Sequence, residues 1–145
     1  MKIMLPVDGS EASLDAVRRV LTLLHAGLRA DVLLVNVQEP ASLYEVVVAH
    51  DAGVIEQVSE AAAAHVIEPA QALLRAAGVT FEVEIGHGDP AHLIVDIAER
   101  SGCDLVVLGA HGQDAPARGA LGSVATAVVS RSAAAVMVVK RAEAM

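Results

Sequence analysis

The sequence is poor in aromatic residues. It has no tryptophan, and Tyr44 and Phe81 are its only rings. Single-stranded nucleic-acid binders stack bases on aromatic platforms, which two rings do not supply; an electron carrier with rings packed around a flavin is excluded for the same reason. Cys103 is the only cysteine, so no internal disulfide can form and nothing points to an oxidising compartment. Positive charge is scarce: 10 Lys and Arg stand against 18 Asp and Glu, a net charge of −8, with no basic cluster. A chain of this charge repels a phosphate backbone. No uncharged apolar stretch approaches the length of a membrane span. The apolar run after Lys2 stops at Asp8, too short for a signal-peptide core. The expectation is a cytoplasmic protein with neither nucleic acid nor membrane as partner.

Several catalytic signatures are missing too. There is no P-loop of the G-x₄-G-K-[ST] type. The six histidines form no helical i, i+4 pair with a carboxylate beside it, so no protein-held metal is expected. No Ser-His-acid arrangement can be drawn around Ser123, and Cys103, between Gly102 and Asp104, is expected to pack rather than react.

What is present is aliphatic. Apolar residues make up 54% of 145 positions, enough to fill one core. The expectation is one domain over residues 1–145. Met1 to Val7 reads as a buried strand, with Pro6 marking where it leaves the sheet. Ser10 caps a helix whose apolar positions Leu14, Val17, Leu21, Leu24 and Leu28 recur at helical spacing, and Gly27 can end it. Asp31 to Gln38 is a second buried strand. Glu39 to Gly53 reads as a long loop. Val54 to Ala77 reads as a helix that Pro69 should kink or split. Val79 to Gly86 alternates apolar and polar residues, as an edge strand does. Asp89-Pro90 opens a third helix. Asp104 to Leu108 is a fourth strand, Ser123 to Ser132 a fourth helix, and Val136 to Val139 a fifth strand. Strict alternation implies an α/β fold: a doubly wound, five-stranded parallel sheet of order 3-2-1-4-5 with helices on both faces. Ligands bind such sheets at the carboxyl ends of the strands beside the switch point, between strands 1 and 4.

Two segments near that point stand out. The first is Asp8-Gly9-Ser10, where the aspartate can either shape a turn or face a ligand. The second follows strand 4: Gly109-Ala110-His111-Gly112, nine residues, then Gly122-Ser123. Glycines there permit close backbone approach, and Ser123 and Val124 can turn their N–H groups to an anion at a helix N-terminus. By contrast, Gly86-His87-Gly88-Asp89-Pro90-Ala91 has the letters of a dinucleotide fingerprint but follows an edge-like strand, and Pro90 removes an N–H. It reads as a turn and helix cap.

The G-x₂-G-x₉-G-[ST] pattern resembles the nucleotide loop of the universal stress protein family. The likeness runs over nearly the whole chain, through Pro6-Val7-Asp8-Gly9-Ser10, Gly88-Asp89-Pro90-Ala91, Asp104 to Gly109 and Val136 to Lys140. It implies binding of ATP, or of ADP or AMP, with magnesium carried on the phosphates. It places the ribose at Asp8, the adenine edge at the backbone of Val37, the ribose and phosphates against Gly109, and the phosphates at Gly112, Gly122, Ser123 and Val124. The chain departs from the family at Ala125, where a hydroxyl residue is usual. It also implies a homodimer through Val136 to Val139, whose uncharged edge invites a second chain; a mean hydropathy of +0.54 agrees with buried surface between subunits. With no lysine of the P-loop type and no general base, turnover is expected to be absent or slow. The alternative is a non-nucleotide-binding interaction module of the same fold, acting through dimerisation and partner binding. A phosphoacceptor receiver, which shares the sheet order, needs paired acids after strand 1 and an acid ending strand 3; Asp8 stands alone and strand 3 ends Glu84-Ile85-Gly86.

Overall fold

The structure, a computed structural model, describes residues 1–39, 52–111 and 121–141, without the side chains of 52–59. Strands β1 (Lys2–Pro6), β2 (Asp31–Gln38), β3 (Phe81–His87), β4 (Leu105–Gly109) and β5 (Ala135–Val139) alternate with helices α1 (Glu11–His25), α2 (Ala52–Ala76), α3 (Pro90–Arg100) and α4 (Ser123–Arg131). All strand pairs are parallel, and the order is β3-β2-β1-β4-β5, as expected from the sequence.

Pleating divides the core in two. Ile3, Leu5, Val32 and Leu34 face α1 and α2, packing against Val17, Val20, Ile67 and Leu74. Met4, Leu33, Val35, Val106 and Leu108 face α3 and α4, packing against Ile94, Ile97 and Val128. Strands buried on both faces explain the unbroken apolar runs. Each fully buried Val, Leu or Ile contributes about 1.5–3 kcal/mol.

The helix boundaries follow local chemistry. The Ser10 hydroxyl accepts from the Ser13 N–H at 3.2 Å, and the Asp89 carboxylate accepts from the His92 N–H at 3.0 Å. The Asp89-Pro90 segment is thus a helix cap. Helices α1, α2 and α3 each end by the same paired bonds: Leu28 N–H to Leu23 O, Val79 N–H to Leu74 O and Cys103 N–H to Ala98 O, each beside a glycine of positive φ. Val79 therefore belongs to the end of α2, and β3 begins two residues later than the alternation suggests. Helix α2 runs unsplit through Pro69. Pro69 lies on the exposed side, where water can satisfy the carbonyl its missing N–H leaves behind. Most of the expected Glu39–Gly53 loop lies outside the described residues.

The feature that positions the site is a short ladder. Strand β1 pairs with β2 over five residues, Lys2 to Pro6, but with β4 only at Ile3 and Met4. Val7 N–H donates to Val35 O on β2 at 2.8 Å, so by strand alternation the donor Pro6 lacks is the one that would face β4. The carboxyl ends of β1 and β4 separate there.

Candidate functional site

Where β1 and β4 part, a cleft of about 500 Å³ opens, within the range of small-molecule sites. Its walls come from the ends of β1 (Pro6, Val7, then Asp8), β2 (Asn36, Val37, Gln38) and β4 (Leu108, Gly109), from Pro90 and Ile94 of α3, and from Val66 of α2. Gly122, Ser123, Val124 and Ala125, at the start of α4, complete it. Of the residues singled out in the sequence, Asp8, Val37, Gly109, Gly122, Ser123 and Val124 therefore meet around one space. Gly112 lies outside the described residues.

Asp8 does both things open to it. Its Oδ1 accepts from the Ser10 N–H at 2.9 Å and from the Ser10 hydroxyl, which fixes the turn into α1 over Gly9, at φ 85°. It also lines the cleft. The turn holds the carboxylate at the crevice mouth.

Gly109 has a reason that the sequence pattern does not reveal. A Cβ there would lie 2.6 Å from the carbonyl oxygen of Ala12, 2.7 Å from its carbon and 2.9 Å from its Cβ. The first turn of α1 rests directly on the end of β4, and only a glycine fits beneath it. The residue that lines the cleft is thus also required by packing.

At α4 the cap differs from those of α1 and α3. Gly122 is the N-cap, at φ −63° and ψ 160°, and makes no side-chain bond. Its N–H donates to Ala110 O at 2.7 Å, which closes the two ends of the glycine loop on each other, and its carbonyl accepts from the Thr126 N–H at 3.0 Å. The N–H groups of Ser123, Val124 and Ala125 precede the first intrahelical donor, and they lie at the cleft wall with no side-chain cap. Helix starts left in this way attract anions through unpaired N–H groups and the positive end of the dipole. The Thr126 hydroxyl is turned back to Gly122 O at 2.9 Å, so it does not replace the hydroxyl missing at Ala125.

His111 also lines the cleft, and its Nδ1 is buried without a hydrogen-bond partner among the described residues. A buried polar atom left unpaired costs about 1–3 kcal/mol, and ligands are one way such atoms are satisfied. Asn36 and Gln38 were not singled out by pattern, although an asparagine inside Val-Leu-Leu-Val-Asn-Val is the visible signal. Asn36 is 2% exposed. Its Nδ2 donates to Val7 O at 2.8 Å, and its Oδ1 accepts from Gln38 Nε2. No Lys or Arg is among the described residues that line the cleft.

Away from the cleft, burial raises the Cys103 thiol above its ordinary pKa, which favours the unreactive protonated form. No cluster of three or more His, Cys, Asp or Glu side chains suited to a metal occurs among the described residues, and no described helix is long and apolar enough to cross a membrane.

These features define a doubly wound α/β domain whose crevice sits at the switch point, with the start of α4 in its wall. A model of the universal stress protein family matches residues 1–140, and the chain belongs to that family. It is 28% identical over 140 residues to the universal stress protein MJ0531 of Methanocaldococcus jannaschii, covering 97% of this chain and 82% of that one. Among solved structures it is similar to the hypothetical protein MJ0577, with a TM-score of 0.80 and 29% identity over 99% of this chain and 97% of the other. A universal stress protein solved in complex with cAMP matches with a TM-score of 0.71 and 27% identity over 96% of each chain.

Proposed function

We propose that this protein is an adenine-nucleotide-binding regulator of stress physiology, holding ATP, ADP or AMP in the cleft between β1 and β4. The observation that carries the reading is the uncapped start of α4. Three backbone N–H groups, from Ser123, Val124 and Ala125, line a cleft of nucleotide size beside an unsatisfied imidazole nitrogen. The relative solved with cAMP supports adenine as the base. In this reading Asp8 holds the ribose, the Val37 backbone meets the adenine edge, and Gly109 lies against ribose and phosphates. The phosphates rest on Gly112, Gly122, Ser123 and Val124.

With no Lys or Arg among the described lining residues, the backbone dipoles at the start of α4 offset part of the phosphate charge. A magnesium ion carried on the phosphates supplies the rest, with no protein cage required. The sequence offers no lysine of the P-loop type and no evident general base, so the bound nucleotide is a signal rather than a fuel. The whole chain, residues 1–145, acts as one cytoplasmic domain and pairs with a second copy through β5.

Mass analysis of small molecules released from the purified protein, followed by calorimetry with ATP, ADP and AMP plus magnesium, tests the reading. Binding of at least one in the micromolar range is expected. Binding of none would overturn it and favour an interaction module of the same fold.

A further inference from the structure

We infer that Gln38 is the residue that selects adenine over a 6-oxopurine, and that Asn36 is the positioning residue that makes it selective. The inference rests on the nucleotide reading above and adds to it a reader for the base. Its starting point is a backbone carbonyl. Val7 O can only accept, so the Asn36 atom 2.8 Å from it must be the donor Nδ2. That fixes the Asn36 amide, and its Oδ1 faces Gln38. An oxygen there demands a donor, so the Gln38 atom that meets it must be Nε2. The usual ambiguity of amide orientation is removed twice over.

The backbone holds this pair in place. Asn36 is buried, Gln38 lies two residues on along the same face of β2, and Gln38 O accepts from the Gly88 N–H at 3.0 Å. Gln38 is half-buried and lines the cleft immediately after Val37. Among the described residues nothing engages its Oε1 or its second N–H. An amide edge therefore remains, with an acceptor beside a donor, in a fixed sense.

That edge matches adenine, whose 6-amino group donates next to a ring nitrogen that accepts. A 6-oxopurine presents an acceptor where adenine presents its donor. A freely rotating glutamine could turn its amide over to suit it. Here the turn would set Oε1 against Asn36 Oδ1, two acceptors in a partly buried place, and Asn36 cannot turn in response without facing Val7 O with an oxygen. The relay thus excludes the alternative as well as accepting the match. One well-made bidentate amide–base pair discriminates by about tenfold or more.

ATP and ITP differ at the 6-position and at the N1 proton that goes with it, so they isolate this contact. Calorimetry with each, in the presence of magnesium, is expected to show ATP preferred by about tenfold or more in the unaltered protein. In Gln38→Leu the preference should fall at least about threefold, through weaker ATP binding with ITP little changed, the remainder being held by the Val37 backbone. Equal affinities in the unaltered protein overturn the inference, whatever the variant does. So does a Gln38→Leu protein that keeps the full preference. Gln38→Met serves as a second variant if the first does not fold. If the unaltered protein binds neither nucleotide, the functional reading falls and this inference with it; binding of ATP without preference removes only the role of Gln38.

Discussion

Replacing Gly109 with alanine separates packing from ligand contact at the cleft. The added Cβ would stand 2.6 Å from Ala12 O and 2.7 Å from Ala12 C. Both are backbone atoms in the first turn of α1, a turn already fixed by the Ser10 cap and the Asp8 bonds. No side-chain rotation relieves such a clash, so α1 must lift or β4 must bend. Overpacking of this kind costs about 1–3 kcal/mol. A domain of 145 residues loses about 1 kcal/mol for each 3 °C of Tm, on an unfolding entropy of about 2.1 cal/mol/K per residue. The expected loss is therefore about 3–10 °C. The assay is thermal or urea unfolding of protein stripped of any nucleotide, since lost binding would otherwise lower Tm by mass action. Gly86→Ala is the control: its Cβ would press only on the flexible tip of Leu93, at 3.3 Å, with Ile97 Cδ1 at 3.7 Å and Val37 Cγ2 at 4.0 Å in ordinary contact, and should cost under about 1 kcal/mol. If stripped Gly109→Ala melts with the unaltered protein, the glycine is not required by packing and the account of the β4–α1 contact is wrong.

Four further outcomes are expected. Gly122→Asp, at an N-cap whose φ and ψ suit aspartate, should weaken ATP binding at least tenfold by placing a carboxylate where the phosphates sit, while ligand-free stability changes by under about 1 kcal/mol; unchanged calorimetric affinity would refute the phosphate position. Val138→Lys should shift the mass seen by light scattering at micromolar concentration from dimer to monomer, and a monomeric unaltered protein would contradict pairing through β5. Phosphate release from ATP should be absent or very slow, and rapid release that Gly122→Asp abolishes would show that the site holds a catalytic group. Cys103 should react slowly with a disulfide reagent until the protein unfolds. Because burial raises its folded pKa, its contribution to stability is whole below the ordinary thiol range and is lost as pH rises past it, which denaturant titrations across alkaline pH would detect.

The architecture was largely legible because its signals are local. Apolar runs alternating with periodic, capped segments leave few topologies once crossovers are right-handed, and Pro6, Ser10 and Asp89 mark their boundaries by their own chemistry. What escaped detection depends on pairs of distant residues. The need for glycine at position 109 comes from Ala12, nearly a hundred positions away. The Asn36–Gln38 relay depends on Val7 reaching across from β1. Pro69 misled because its effect turns on which side of the helix meets water. The loop from Gly112 shows the other limit: its spacing carried the resemblance, and the family match over residues 1–140 upheld it, yet Gly112 itself lies outside the described residues.

The two outer strands of the sheet are unlike. Strand β3 carries Glu82, exposed, and Glu84, held to Arg100 at 2.8 Å; β5 reads Ala-Val-Met-Val-Val, without a charge. Charges along an outer strand discourage another chain from adding to it. The proposed pairing through β5 would therefore leave each molecule with a valency of one. In the proposed pair, two copies joined along β5 would bury the uncharged strand of each and leave Glu82 and Glu84 on both outer strands of the extended sheet, charges that oppose growth into a fibre.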